Sequence, residues 1–303
     1  MRGLAEYIMR GRKEATFVVV FAAAIPLLFW FAAAALALIV LRRGWSEALP
    51  VLAWGLLPAI AWAAFGDLTP LLIMLGSTGL ALVLRQSPDW VRVVLLAVPL
   101  GVVYAVALLM ALAEPLQALA TGFAEMLPEL LEQMGVQLDA ANQSALLARL
   151  DELMVPVLAG VMGAMHMLMA LISLMIGRSW QARLYNPGGF REEFHQLRLP
   201  PLAAVGLLAV VIVAPQWPQL VLLSPVASIP LLLAGLALIH GLVGVKKLGK
   251  GWLIGAYVLL IVFIRFAYLL MVFLAFLDSL FDFRSRLRPP SGPVDEDEPN
   301  SQG

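Results

Sequence analysis

Long apolar runs separated by short polar segments follow one another along the whole chain. Within each run the apolar residues are continuous, whereas the roughly ten-residue strands of a membrane barrel alternate apolar with polar positions. A helix needs about 20 apolar residues to cross a hydrocarbon core about 30 Å thick. The pattern therefore predicts membrane helices. The runs are Ala15–Leu41, Ala48–Phe65, Leu68–Leu84, Val91–Ala113, Leu153–Gly177, Pro201–Leu223, Val226–Val245 and Trp252–Leu277.

The composition supports the same interpretation. Hydrophobic residues make up 62% of the 303 positions and charged residues 13%, with a mean hydropathy of +0.91. A soluble domain has just under half apolar residues and about a quarter charged ones. Lipid must therefore cover most of the apolar surface. The chain has no cysteine, which excludes disulfides and thiolate sites. Because no basic patch stands apart from the segments between runs, we do not expect a nucleic-acid partner.

The basic residues fall in clusters between the runs, and such clusters stay on the cytoplasmic side of a membrane. Three pairs of runs each leave one basic cluster and return to another, as the rule requires. These pairs lie within residues 44–84, 93–177 and 199–245. The clusters are Arg2/Arg10/Arg12/Lys13, Arg42/Arg43, Arg85/Arg92, Arg178/Arg183/Arg191/Arg198, Lys246/Lys247/Lys250 and Arg284/Arg286/Arg288.

The first and last runs have basic residues at both ends. A single crossing would place one cluster outside, so we predict that each run is a broken hairpin of two short helices. Pro26 marks the first break, since proline removes a backbone donor and clashes with the preceding turn. Arg265 marks the second. The predicted fold is an all-α polytopic bundle of about six full spans plus a broken helical hairpin at each end. We therefore expect both termini to be cytoplasmic.

Four polar segments complete the expected organisation. Residues 1–14 form a cytoplasmic N-terminus before the spans of 15–113, and residues 114–152 form two extracytoplasmic amphipathic helices split near Gly135. These helices lie in the interface plane or cap the bundle, as a solvated lid or a substrate gate. After the span at 153–177 comes a cytoplasmic loop at 178–200. After the spans of 201–283 comes a cytoplasmic tail at 284–303, where the composition predicts disorder from Pro289 onward.

The loop at 178–200 is the most polar interruption of the chain. Asn186-Pro187-Gly188-Gly189 predicts a turn, and Phe190, Phe194 and Leu197 then give one apolar face to a short helix. We expect this loop to dock partner membrane proteins. The docking residues are Asn186, Gly188, Gly189, Phe190, Glu192, Glu193, Phe194 and Arg198.

The loop string "YNPGGFREEFHQLR", Tyr185 to Arg198, resembles the signature loop of the YybS-like family of bacterial membrane proteins, a domain of unknown function. "GLALIHGLVGV" at Gly235–Val245 and "LDSLFDFR" at Leu277–Arg284 are similar to two further parts of that family. The family is grouped with the S components of energy-coupling-factor transporters and with the rod-shape protein MreD.

The resemblance implies a bundle like an S component in the bacterial inner membrane, with a central pocket open to the outside for a small organic or vitamin-like molecule. A transmembrane coupling subunit and ATPases would then be partners. The chain has no Gly-x-x-x-x-Gly-Lys-Ser/Thr loop, so ATP use would come from those partners. S components dock through small residues on an early helix, and Ala33 and Ala37 have that four-residue spacing.

A few polar residues within the runs are candidates for ligand chemistry, because ionisable groups at membrane depth are costly. Arg265 either binds an anionic substrate group or extends its charge to the interface. Asp278 and Asp282 share a helix face, either for cation coupling or to anchor the helix end. His240 is a further substrate candidate, or an interhelical hydrogen-bonding group.

Met162, His166 and Met169 lie on one helix face and form a soft ligand set suited to Cu(I). Methionine is also the ordinary filler of irregular cores. No nucleophile–base set is visible in the sequence, so we do not expect an enzyme or a cofactor. Three hypotheses follow: S-component-like uptake of a small molecule, a non-transporting scaffold for cell-envelope assembly comparable to MreD, and a metal carrier.

Overall fold

The computed structural model describes residues 2–136 and 138–287. These residues form helices joined by short turns, and no β-strand occurs among them. The helices are α1 Arg2–Ile8, α2 Arg12–Ala24, α3 Phe29–Arg43, α4 Trp45–Ala64, α5 Thr69–Gln86, α6 Trp90–Ala111, α7 Ala113–Gln133, α8 Ala140–Tyr185, α9 Gly189–Gln196, α10 Pro201–Val213, α11 Leu223–Val245, α12 Lys250–Val262, α13 Ile264–Phe281 and α14 Phe283–Arg286. A short 3₁₀ turn, Ala214–Gln216, follows α10.

The predicted all-α polytopic fold is confirmed. Within the described residues, six helices are long and apolar enough to cross a membrane: α4, α5, α6, α8, α11 and α13. Five of them coincide with predicted full spans. The sixth, α13, is the second half of the last apolar run. If α9 and α10 with its 3₁₀ turn, which meet at 67°, are taken as one broken span, there are seven.

The centre of the bundle is filled by α3. Every residue from Ala32 to Leu41 is at most 8% exposed, and α3 packs against α2, α4, α5 and α8. The alanine-rich sequence explains the close packing, since small side chains let helix backbones approach. At the tightest point, a Cβ built on Gly177 of α8 would lie 2.7 Å from the carbonyl oxygen of Ala34.

The predicted N-terminal hairpin is present. Helix α2 ends at Ala24 and α3 begins at Phe29, so the break includes Pro26. The guanidinium of Arg43, at the end of α3, donates to the carbonyl oxygen of Met9, just before α2. The two ends of the hairpin therefore meet at one end of the bundle. At the opposite end, the indole N–H of Trp62 in α4 donates to the carbonyl oxygen of Ala23 at 3.2 Å.

The last apolar run also folds back. It breaks at Phe263, two residues before Arg265. Helix α12 begins shortly after α11 ends, and the hydroxyl of Tyr257 reaches back to Nε2 of His240 at 2.9 Å, so α12 returns along α11. Helix α13 then runs in the direction of α11, because Tyr268 contacts Ser228 near the start of α11 and Arg284 packs on its later residue Gly241.

The segment at 114–152 is only partly as predicted. The first amphipathic helix is α7, and the split lies at Gly135, whose φ of +70° favours glycine. The second helix is not separate, and this part of the prediction is wrong. It is the beginning of α8, which continues for 46 residues to Tyr185, about 69 Å. Because α7 packs along α8, the two form a helical hairpin that extends past the spans.

Two other boundaries differ from expectation. The run Pro201–Leu223 was predicted as a full span, but α10 has only 13 residues and ends at Val213. Pro215 lies two residues further on and cannot supply the backbone donor that a longer helix requires. The predicted tail at 284–303 also begins too early, because Arg284 lies in α14 and is only 7% exposed. The disorder predicted for Pro289–Gly303 concerns residues outside the described part of the chain.

Candidate functional site

Within the described residues, the basic clusters come together at one end of the bundle, which we call the basic end. The guanidinium of Arg85 at the end of α5 donates to the carbonyl oxygen of Leu41 at 2.8 Å, and the amide of Gln181 near the end of α8 donates to the same oxygen at 3.2 Å. Arg12 at the start of α2 pairs with Glu47 at the start of α4 at 2.8 Å. This arrangement is the one that the charge pattern predicts if both terminal regions fold back.

Helix α9 is fixed to the basic end by the carboxylate of Glu193. Nε of Arg178 donates to it at 3.1 Å, its Nη2 donates to the other carboxylate oxygen, and the indole N–H of Trp90 donates at 3.0 Å. The ring of Phe190 packs edge-on against Trp90, with centroids 5.8 Å apart. The loop therefore joins the start of α6 to the last turns of α8.

A buried ion pair anchors the other side of the loop. Nη2 of Arg284 donates to Asp278 at 3.0 Å, and both side chains are at most 8% exposed. The same guanidinium donates to the carbonyl oxygens of His195 and Leu197. Burial lowers the pKa of Arg284, and the charge of Asp278 opposes that shift. The other oxygen of Asp278 accepts from the backbone N–H of Phe283 at 3.0 Å, so this carboxylate also shapes the end of α13.

Arg198 ties the end of the loop to the same helix. It donates to Asp282 at 2.8 Å and to the carbonyl oxygens of Asp278 and Ser279, both at 3.0 Å. The hydroxyl of Ser279 returns a bond to the carbonyl oxygen of Leu199 at 2.6 Å. Removing one member of such a network leaves a desolvated polar group without a partner. The loop is therefore held rigidly on α13.

Between the two anchors, His195 lies close to His240, with ring centroids 6.1 Å apart. His240 receives the edge of Phe194 and shares a hydrogen bond with Tyr257. Burial lowers the pKa of His195, and the charges of Arg191, His240 and Arg284 lower it further. The imidazole of His195 is therefore predominantly neutral at pH 7.

A groove of about 450 Å³ opens on the flank of the bundle beside these histidines. Helix α8 forms one wall, and residues of α9, α11 and α12 form the opposite wall. Its lining combines apolar, aromatic and basic side chains. The lining residues are Ile172, Met175, Ile176, Ser179, Trp180, Arg183, Phe190, Arg191, Phe194, His195, His240 and Tyr257.

The predicted docking residues divide into two groups. Asn186, Gly188 and Glu192 are exposed, whereas Gly189 is buried. The remaining loop residues are partly buried and make the internal contacts described above: Phe190, Glu193, Phe194 and Arg198.

Ala33 and Ala37 are 0% exposed. Both lie inside this chain's own bundle, where the carbonyl oxygen of Ala33 accepts from Ser77 and Ala37 packs at Gly177. Their predicted role in contacting a partner is wrong, because the small-residue spacing is used for packing within the fold.

The predicted substrate residues do not form a common pocket. Asp278 and Asp282 are paired with arginines at the basic end, and His240 lies in the flank groove. Arg265 is exposed near the break between α12 and α13, 13 residues or about 20 Å from Asp278 along α13. The structure therefore does not bring these four residues together, and the arginine contacts of the two aspartates favour the helix-anchoring alternative.

The structure gives no support to a metal site around His166. Its Nδ1 contacts the carbonyl oxygen of Met162 at 2.7 Å, and its Nε2 contacts the hydroxyl of Thr69 at 3.2 Å. Both ring nitrogens are thus engaged by hydrogen bonds, leaving Met162 and Met169 without the imidazole ligand. Among residues 2–136 and 138–287, no group of three His, Asp or Glu side chains is arranged to hold a metal.

Sequence reasoning missed the residues that hold the loop in place. Arg178 and Arg284 were counted only as members of basic clusters, and Trp90 was not singled out. The spacing of Arg284 and Asp278 carried no signal for a pair, because they lie six residues apart and an unbroken helix brings together residues three or four apart. The αL conformation of Asp282, with φ of +49°, turns the chain and makes the pair possible.

No family model, curated protein or solved structure matches this chain. Its function is therefore argued from the geometry of the bundle and of its two ends.

Proposed function

We propose that this protein is a non-transporting integral membrane scaffold, which holds partner proteins at its polar ends. The observation that carries the proposal is the filled centre of the bundle. Helix α3 occupies the position where an uptake protein needs a ligand cavity, and its residues from Ala32 to Leu41 are buried by four neighbouring helices. Such a packed interior favours a structural role over carriage of a small molecule.

The two ends of the bundle supply surfaces for partners. At one end, the α7–α8 hairpin extends past the spans and exposes Leu119, Phe123 and Met126 beside acidic residues. At the basic end, Asn186 and Glu192 are exposed on a loop that is anchored from both sides. A rigid loop and a projecting hairpin suit binding, because little conformational entropy is lost when a partner docks.

Orientation follows from the positive-inside rule. Since the basic clusters gather at one end, that end lies in the cytoplasm of a bacterial cell, and the α7–α8 hairpin lies outside the inner membrane. The resemblance of Tyr185–Arg198 to the YybS-like family, which is grouped with MreD, supports a role in cell-envelope assembly. This family assignment is part of the proposal.

Uptake of a small organic or vitamin-like molecule is the second candidate. An open groove of about 690 Å³ between α2 and α4 favours it, with Arg12 and Lys13 at one end and Phe17, Phe21 and Trp54 along its length. This volume is within the range of small-molecule sites, about 300–1,000 Å³. Under this hypothesis, a transmembrane coupling subunit and ATPases are the partners.

Site-specific photocrosslinking in cells tests the scaffold. A photoreactive residue at Phe123 or Glu192 should give discrete adducts with particular proteins, whereas one at Leu202, an exposed apolar residue of α10, should not. Mass spectrometry of the mildly extracted protein distinguishes the second candidate. A small organic molecule retained at one copy per chain, without protein adducts at either end, would contradict the scaffold and support uptake.

A further inference from the structure

The flank groove changes from apolar to cationic along its length. On α8, Ile172, Ile176, Ser179 and Arg183 line the groove. They are spaced by four, three and four residues, so they lie in one row on the helix surface. The row extends over 11 residues, about 16 Å. The apolar end of the row, at Ile172, lies on the side of the bundle away from the basic end, and Arg183 lies at the basic end.

The opposite wall is aromatic in its deeper part and becomes cationic toward the basic end. Tyr257 and His240 are joined by a hydrogen bond of 2.9 Å deeper in the groove, and His195 and Arg191 follow toward the basic end. Phe194 packs edge-on against His240 and closes the polar side. Both walls therefore match a ligand with an apolar body and a negatively charged head.

The cationic end has charge that no neighbouring carboxylate neutralises. Arg183 and Arg191 are exposed, and neither lies within 4.0 Å of an acidic group in the described part of the chain. Of the two acids that follow Arg191, Glu193 is engaged by Arg178, and Glu192 forms no salt bridge with either arginine. Two arginines without acidic partners at the membrane edge attract an anion.

We propose that this groove binds an anionic phospholipid of the cytoplasmic leaflet. Its phosphate contacts Arg183 and Arg191, and an acyl chain lies along Ile172 and Ile176. A lipid fits better than a soluble anion because the groove opens sideways, where hydrocarbon surrounds the spans, and its inner half is apolar. This inference requires no protein partner, and it shares with the proposed function only the orientation of the basic end toward the cytoplasm.

Native mass spectrometry of the full-length protein in detergent tests the proposal, with phosphatidylglycerol and phosphatidylcholine of identical acyl chains added in parallel. The natural protein should retain phosphatidylglycerol preferentially. Each arginine near an anionic headgroup strengthens binding by about fivefold, so the Arg183→Gln/Arg191→Gln protein should bind phosphatidylglycerol about thirtyfold more weakly. The Arg10→Gln/Arg92→Gln protein, which loses two exposed arginines elsewhere at the basic end, should bind as before.

A second variant tests the acyl-chain half without changing charge. Ile176→Trp fills the apolar end of the groove and should reduce phosphatidylglycerol retention while circular dichroism and unfolding temperature stay unchanged. An undiminished preference in the Arg183→Gln/Arg191→Gln protein, or equal loss in the control pair, overturns the proposal. So does stabilisation by inorganic phosphate that persists in Ile176→Trp, which would identify a site for a soluble anion.

Discussion

The guanidinium of Arg178 donates two hydrogen bonds to the carboxylate of Glu193, 15 residues later in the chain. The first residue lies on the longest helix and the second on the short helix α9. Their side chains are 13% and 25% exposed, so the pair is partly shielded from water. This contact turns an otherwise solvated loop into a fixed part of the bundle.

Replacing Glu193 with alanine should lower the free energy of unfolding by about 2 kcal/mol, because Arg178 and the Trp90 indole lose their acceptor in a partly desolvated site. Glu192→Ala is the matched control: the neighbouring side chain is exposed, and its loss should change stability by less than about 0.5 kcal/mol. Thermal unfolding in detergent measures both. Equal effects would show that α9 is not anchored by Glu193.

The buried pair of Asp278 and Arg284 should show strong coupling in a double-mutant cycle. Asp278→Asn or Arg284→Gln alone should each cost about 3–5 kcal/mol, since each leaves a buried charge without its counterion. The double variant should cost clearly less than the sum of the two. Chemical unfolding of the three proteins gives the coupling, and additive costs would be inconsistent with a direct ion pair.

Close packing on α3 predicts a cost for even one methyl group at Gly177. Its Cβ would meet the carbonyl oxygen of Ala34 at 2.7 Å and the Cβ of Ala37 at 2.8 Å, so Gly177→Ala should destabilise the protein by about 1–3 kcal/mol. Gly206→Ala is the control, because nothing lies within 4 Å of that position. It should be neutral or slightly stabilising, as expected for alanine in a helix. A tolerated Gly177→Ala would mean that α3 is packed more loosely than described.

The free energy of unfolding should decrease as the pH is lowered through the range where His195 takes up a proton. Burial and the charges of Arg191, His240 and Arg284 lower the pKa of folded His195, while the unfolded chain keeps a value of about 6.5. As the pH falls below about 6.5, the unfolded state takes up the proton first, so stability that is complete above this pH is progressively lost. The His195→Gln protein should lose less stability between pH 7 and pH 5, measured by thermal unfolding. An identical pH profile would exclude a contribution from this histidine.

The architecture of the spans was predictable because apolar runs and charge clusters report directly on the bilayer. Both terminal hairpins followed from the charge pattern alone, because the first and last runs each have basic residues at both ends. Pro26 lies inside the first break, and Arg265 lies two residues from the second. The length of α8 was not predictable from apolar runs. An amphipathic segment that continues a span has the same pattern as a separate helix at the surface.

The candidate site was harder to predict because its contacts join distant parts of the chain. The sequence indicates that the segment around Asn186 is polar, but not that Glu193 faces Arg178 or that Asp278 faces Arg284. The four-residue spacing of small residues that begins at Ala33 is likewise the same whether a helix packs within its own chain or against another chain. The positions of α5 and α8 decide that it is used here for packing within the chain.

The arrangement of both terminal hairpins around one basic end is tested most directly by cysteine accessibility in intact cells, since the chain has no cysteine of its own. Gly3→Cys, Glu192→Cys and Gly251→Cys should react with a membrane-impermeant reagent only after the inner membrane is opened. Gly122→Cys on α7 should react in cells whose outer membrane alone has been permeabilised. If Gly3 or Gly251 reacts together with Gly122 instead of with Glu192, the hairpins do not fold back and the single basic end is contradicted.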